Sequence, residues 1–549
     1  MALAAGTVLR LVAMIGYPGA LWFAGDSYVY LGAALRLQPN LSKTTGYSLF
    51  LHVLEPFRSL TLVTGLQHLM GLAVAVMIYL LLRRSKVGPW WATAATLPVL
   101  LDGFVIEDEH MVMAEALFTF LVMLSMLLIL WRSEVRWPVA LLAGLLAGYA
   151  VDVRSEGLPV LVIFPVVLLA RGLRRDGAWA GRNWRAWLAA ATMAVGCAAP
   201  VAGYAVWFHS WWGSYTLSNA EGFYLWGRVS SFADCAVIKP PARLQAICPA
   251  GSPSSRTPPG DYIWHAPEVH HMANGGPVTA ANNALLRDFA VRAVEAQPLG
   301  YLHAVLGGLA LAVEWPRHLY PDDGTVYLYY FHLTPWKIPA GHVWVKGGTA
   351  YADAVQYGHA TPSRVVRPVA ILIDAYERVF YTYGPLFGLI LLTGLGGVIR
   401  LRRTRDGPRA LPVRLAWSPR AGSMLPWATA VVLLVFPIAV ADFDYRYLLP
   451  VLPFACLAAG LAFAPALRVG AGRVDRQPPP AIGVALPDRG VLSDKLAPGR
   501  DPDRDRADRV AEVAGADHLV QLDRPYSTGR PGPADGLPPE PLDRVAAPD

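Results

Sequence analysis

SLTLVTGLQHLMGLAVAVMIYLLL, residues 59–82, contains no acid, lysine or arginine and ends against Arg83-Arg84-Ser85-Lys86. A helix needs roughly 20 predominantly apolar residues to cross a hydrocarbon core. This stretch meets that length, and its basic flank follows the rule that Lys and Arg collect on the cytoplasmic side of a span. Working outward, comparable runs recur at 5–23, 88–106, 112–130, 138–151, 157–170, 187–208, 380–399, 424–441 and 447–466. The expected fold class is an all-α polytopic membrane protein, a helical bundle of about ten transmembrane helices.

Composition points the same way. Of 549 residues, 54% are hydrophobic and 16% charged, against about 25% charged in soluble domains. Tryptophans sit at the ends of apolar runs, as in Trp90-Trp91, Trp131, Trp137, Trp184, Trp187 and Trp211-Trp212, where an amphipathic ring settles at headgroup level. The net charge of +7 does not indicate a nucleic-acid partner, because the basic residues lie in short connections between spans and form no face with interleaved aromatics. Residues 5–23 read either as a signal peptide or as an uncleaved first span, and the second is simpler in a chain embedded throughout.

The basic connections are Arg83 to Lys86, Arg132 to Arg136, Arg171 to Arg185 and Arg400 to Arg405. Placing all four inside gives outside loops at 24–58, 107–111, 152–156, 209–379 and 442–446. The apolar stretch 299–315 fits this only as an interfacial or re-entrant helix. The chain then divides into an N-terminal transmembrane module (1–208), an extracytoplasmic region of mixed structure (209–379), C-terminal transmembrane helices (380–466) and a cytoplasmic tail (467–549). Beyond about residue 470, Pro, Gly, Asp and Arg dominate and Trp and Phe vanish, which predicts disorder. Cys235 and Cys248 share the large outside loop and are disulfide candidates in an oxidising compartment. Cys197 and Cys456 lie in apolar runs.

With this sidedness, ionisable residues gather at one membrane face. The first outside loop opens Gly25-Asp26-Ser27-Tyr28. The second carries Glu107-Asp108-Glu109-His110, with Glu115 just inside the next span. The third carries Asp152-Val153-Arg154-Ser155-Glu156, and the last Asp442-Phe443-Asp444-Tyr445-Arg446-Tyr447. Charges beside spans are costly and tend to be paired or functional. Arginines with carboxylates suit an anionic headgroup beside an acid–base step. For a sugar carried on a polyprenyl phosphate, Arg154 and Arg446 are the candidate phosphate partners, and Asp26 is the candidate base for an acceptor hydroxyl.

This arrangement resembles the C superfamily of membrane glycosyltransferases (GT-C), notably protein O-mannosyltransferases and the aminoarabinose transferases of lipid A. The position of Gly25-Asp26-Ser27-Tyr28 is similar to that of their essential first-loop acid, and Glu107-Asp108-Glu109 to their second acidic cluster. Arg446-Tyr447-Leu448-Leu449-Pro450-Val451-Leu452-Pro453 resembles the Arg-Tyr-x-x-Pro-x-x-Pro opening of a late span in bacterial relatives. The layout is also similar to phospholipid carrier-dependent members from actinobacteria. The resemblance implies a sugar moved from a polyprenyl-phosphate donor to a glycan, lipid or protein acceptor at the extracytoplasmic face of the cell membrane. It also implies Lys43 as a further phosphate contact. It fixes neither sugar nor acceptor, and no ligand set compels a divalent metal.

Simpler readings stand beside these. Asp26 suits a helix N-cap. Arg154 has Asp152 or Glu156 as local ion-pair partners, and Arg446 has Asp442 or Asp444. His265, His270 and His271 read as a solvated cluster, and Asn40-Leu41-Ser42 is a bare sequon match. At the level of function, a transporter or flippase of lipid-linked precursors, or a non-catalytic scaffold of an envelope-synthesis complex, would use the same headgroup site without bond breaking.

Overall fold

The computed structural model describes residues 1–464 apart from 24, 133, 176–177, 180–182, 271, 273–275, 359–363, 400, 403–413 and 416–422. The predicted tail (467–549), His271 and most of the Arg400–Arg405 connection lie outside the described residues.

The chain is mostly helical. Its N-terminal part comprises α1 (Ala2–Gly16), α2 (Asp26–Arg36), α3 (Gly46–Leu54), α4 (Leu60–Arg84), α5 (Pro89–Ala94), α6 (Leu97–Leu101), α7 (Gly103–His110), α8 (Glu115–Trp131), α9 (Trp137–Val153), α10 (Val160–Leu173) and α11 (Trp184–Trp212). Among the described residues, four helical stretches are long and apolar enough to cross a membrane: Leu60–Arg84, Ser155–Leu173, Trp184–Trp212 and Tyr445–Ala462. Shorter apolar helices are Ala2–Gly16, Glu115–Trp131, Trp137–Val153, Pro298–Leu311, Gly384–Val398 and Met424–Val440. At 1.5 Å per residue, a helix the length of α1 extends about 23 Å, short of a ~30 Å core. Length alone therefore supports four spans, where the sequence led us to expect about ten.

One expected span is not a continuous helix. Residues 88–106 break into α5, α6 and the start of α7. Pro98 opens α6, where its missing N–H is tolerated only in a first turn. Asp102 then caps α7, its side chain accepting from the Phe104 and Val105 amides. By contrast, α4 starts on a cap by Ser59, which accepts from the Leu62 amide, and runs unbroken to Arg84.

Helices α9 and α11 approach through small residues. A Cβ on Gly144 would lie 2.3 Å from the Met193 carbonyl, and one on Gly148 2.4 Å from that of Cys197. Small residues let backbones meet this closely where lipid gives no hydrophobic drive for association. The contact holds the end of α9, and with it Arg154, in place.

The region expected to be of mixed structure is helical and irregular among the described residues, with one isolated bridge there, Val345 to Gly348. Its centre is a separate apolar core built on α12 (Glu221–Ser230) and helix Ala280–Ala296, with Phe223, Trp226, Leu286 and Phe289 buried. We call this unit the cap. The stretch 299–315 forms helix Pro298–Leu311.

Cys235 and Cys248 form a disulfide across 13 residues of the cap. A loop of that size contributes about 3 kcal/mol by restricting the unfolded chain. Cys235→Ser should therefore lower the cap's resistance to proteolysis and leave helices α4 and α8–α11 protected. Limited digestion with and without reductant checks this.

Candidate functional site

Two segments, the loop at Lys43 and the turn at Arg446, converge on Asp26. It is the first residue of α2, after Gly25 at φ 78°, and its side chain does not cap the helix. The cap-residue alternative is thus replaced by a charged contact. Lys43 forms an ion pair with one Asp26 oxygen, and Arg446 Nη1 donates to the other at 2.6 Å. Both cations are positioned. The loop carrying Lys43 is tied by Asn40 Oδ1, which accepts from the Ser42 amide and hydroxyl. It leads into α3, where a Cβ on Gly46 would clash with the Asp152 backbone at 2.4 Å.

Arg446 lies in the short turn Tyr445–Leu448, capped by Asp444. Its Nε sits 3.1 Å from Asp444 Oδ2, and its guanidinium lies 4.7 Å from the Phe23 ring centre and 5.5 Å from that of Tyr447. The Tyr329 hydroxyl donates to Asp444. Burial alone would raise the Asp26 carboxyl, but Lys43 and Arg446 outweigh it and hold the group well below the ordinary carboxylate range.

Arg154 does not touch Asp26. It donates to both Glu156 oxygens at 2.7 and 2.9 Å and pairs with Glu115, so Asp152 is not its partner. The Tyr447 ring centre lies 6.0 Å from the Arg154 guanidinium, so one ring stands beside both arginines.

The acidic triplet on α7 separates into three environments. Glu109 accepts two bonds from Arg10, at 2.7 and 2.8 Å, and lies 2.9 Å from His68 Nδ1. All three are buried, and Glu109 is here a structural anchor between α1, α4 and α7. Asp108 lines a small hollow with Glu115, Thr119 and Leu449. Glu107 lines a different hollow, against residues of the segment Leu328–Trp336. Burial, first, and neighbouring acids, second, raise the carboxyls of Glu107 and Asp108 well above their ordinary value.

Sequence reading missed Arg10, His68 and Tyr329 as members of these networks, whereas Asp444 is one of the two partners it offered for Arg446 and is the one found. A usable signal existed for the first two, since each interrupts an otherwise apolar run. Among the described residues, no group of three or more His, Cys, Asp or Glu is placed to hold a metal ion.

The chain is similar in backbone to the oligosaccharyltransferase of Archaeoglobus fulgidus in its apo form, with a TM-score of 0.36 at 10% identity. It is also similar to the same organism's oligosaccharyltransferase AglB in complex with an inhibitory peptide and a dolichol-phosphate, with a TM-score of 0.35 at 10% identity. Each comparison covers 84% of this chain and 50% of the other, so the chain spans half the length of the solved structures it matches. At TM-scores this low the likeness carries no argument about this chain. No family model matches the chain, and no curated protein matches it.

Two residues before Asp444, Asp442 ties the same turn to the cap. It accepts from the Gly260 amide at 2.7 Å and the Tyr320 hydroxyl at 2.6 Å, and Arg228 lies 3.5 Å away. Burial pushes its carboxyl up to about 6, against the hydrogen bond from Tyr320 and the charge of Arg228. A folded-state value above the unfolded one means that the folded form holds the proton more tightly. The resulting stabilisation is full below about pH 4 and is lost as pH rises through about 6. Thermal unfolding between pH 4 and 7 should show this slope in the wild type and a flatter one in Asp442→Asn.

Proposed function

We propose that this chain is a multi-pass membrane glycosyltransferase that moves a sugar from a polyprenyl-phosphate donor to an acceptor hydroxyl at the extracytoplasmic face. The observation that carries this reading is the convergence of Lys43 and Arg446 on the Asp26 carboxylate. The carboxylate stands where a phosphate oxygen would stand. The donor phosphodiester carries one negative charge, like the carboxylate, and becomes a dianion as the sugar leaves, so the pull of the two cations grows along the reaction, and Arg446 presents a fork suited to phosphate oxygens.

The chemistry follows from an exchange of partners. When the donor phosphate takes Lys43 and Arg446, Asp26 loses the cations that hold its proton affinity down, and its basicity rises. The bond from the anomeric carbon to the phosphate oxygen breaks, and its electron pair leaves on the phosphate, where the two cations stabilise it. The acceptor oxygen bonds to the anomeric carbon, and its proton passes to Asp26. Arg154, already matched by Glu115 and Glu156, acts through the Tyr447 ring by fixing the wall beside Arg446.

The test is a transfer assay in proteoliposomes across a panel of polyprenyl-phosphate sugars. Sugar transfer from at least one donor is the expected result. Binding of donors with no turnover by any would move the reading to a transporter or scaffold, which recognises the headgroup without bond breaking.

A further inference from the structure

Segment Leu328–Trp336 has two working sides. Tyr329 turns to Asp444 in the charged cluster, while its neighbours Leu328 and Tyr330 line a separate cleft. Trp22, Glu107, His332, Thr334 and Trp336 also line it, with Leu21, Met111 and Val365 as aliphatic walls. Glu107 is 1% exposed, and its Oε1 is buried with no hydrogen-bond partner, a condition that is costly unless something fills it. The Trp336 indole is fixed by donating to the Tyr28 hydroxyl at 2.8 Å, and the His332 ring stacks on it with centres 5.5 Å apart.

The free space is about 10 Å³, enough for a single hydroxyl or water. A ligand can therefore bury one small polar group here and must rest the remainder on the aromatic rim. Burial holds His332 at about 4, so its ring is neutral near pH 7. Among the described residues no Lys or Arg lines the cleft, which disfavours an anion, and the raised Glu107 carboxyl disfavours a cation. Flat aromatic walls, one carboxyl and one hydroxyl suit an uncharged ring that carries hydroxyls.

We propose that this cleft binds a sugar ring, with one ring hydroxyl donating to Glu107 Oε1 and the ring carbons lying against Trp336. The ring belongs to the donor or to the acceptor. Its position beside the charged cluster rests on the transferase reading above, but the binding itself does not.

The experiment uses the full chain in lipid nanodiscs, titrated with methyl glycosides of common pyranoses and pentoses and followed by tryptophan fluorescence and ligand-observed NMR. At least one glycoside should saturate. Glu107→Gln and Trp336→Ala should each weaken it by roughly tenfold, the scale of one lost buried contact. Trp264→Ala, an exposed site on the cap, should leave it unchanged. If Glu107→Gln does not fold, Thr334→Val alters the same cleft from an exposed position.

Glycoside binding that persists alongside sugar-free polyprenyl phosphate assigns the ring to the acceptor. Tighter binding of the sugar-bearing lipid than of the bare lipid phosphate, lost in Glu107→Gln, assigns it to the donor. The proposal is overturned if no glycoside saturates and the sugar adds nothing to lipid binding, or if the cleft variants bind like the wild type. Glycoside binding without any lipid-phosphate binding would overturn the transferase reading and leave the cleft standing.

Discussion

Asp26→Asn is expected to lower sugar transfer by about 10²- to 10⁴-fold, the range for losing a positioned general base, while binding of sugar-free polyprenyl phosphate becomes tighter. The two effects run in opposite directions because Asp26 has two roles in the proposed cycle. As a base it accepts the acceptor's proton. Before the donor arrives it competes with phosphate for Lys43 and Arg446. An amide does neither. A purely structural role would instead weaken binding and rate together.

Some stability will be lost, since Lys43 is left without its carboxylate. Arg446 keeps Asp444. Asp26→Glu, which retains the charge at a shifted position, separates folding from chemistry. The pH profile offers a second readout. In the free protein the two cations hold Asp26 well below the ordinary carboxylate range, so kcat/KM should keep its value far into acid. In the donor complex the phosphate has taken the cations, so the acid limb of kcat should sit at higher pH. Coincident limbs would sink the partner-exchange mechanism.

Glu109→Gln should cost about 3–5 kcal/mol of stability, as expected when one member of a buried ion pair is removed. Arg10 is buried against Glu109 with two hydrogen bonds at 2.7 and 2.8 Å, and a neutral amide leaves its charge uncompensated. Replacing both partners with apolar residues, Arg10→Met with Glu109→Leu, should recover part of the loss, because no buried charge then remains. Glu107→Gln, two residues away, should unfold close to the wild-type temperature, since Glu107 Oε1 gives up no hydrogen bond. Thermal unfolding in detergent of the four proteins decides the matter. Equal losses for Glu107→Gln and Glu109→Gln would contradict the division of the triplet drawn here.

How far the sequence could be read depends on which physical signal each feature leaves in it. Long apolar runs with basic flanks leave a strong one, and α4 and α11 lie where periodicity and flanks put them. The run 88–106 is also predominantly apolar, but Pro98 and the capping Asp102 break it. Average hydropathy does not register either event. Asp26 and Arg446 could be grouped by sidedness, since both lie beside spans in outside loops, while Lys43 entered only through the family resemblance. Their mutual pairing could not be read, because contacts across 420 residues leave no mark in a single sequence. Arg154 shows the converse limit. Its local partner Glu156 is two positions on, whereas Glu115 required the packing of α8 against α9. The mixed structure expected for the cap failed because dense Gly and Pro mask short helices, which are held by the Trp226–Phe289 core and not by propensity.

The turn from Asp442 to Arg446 has a thermodynamic consequence. One end is fastened to the cap through Gly260 and Tyr320, and the other reaches the first turn of α2 through Asp26. Five residues thus join the cap to the cation pair at Asp26, so a ligand held by the cap and an anion at Arg446 would share one turn. If an anion at Arg446 shifts this turn, it changes the affinity of whatever the cap grips, and equilibrium linkage requires the cap's ligand to change the anion's affinity by the same factor. The order in which two substrates arrive would then alter the rates of approach but not the stability of the assembled complex.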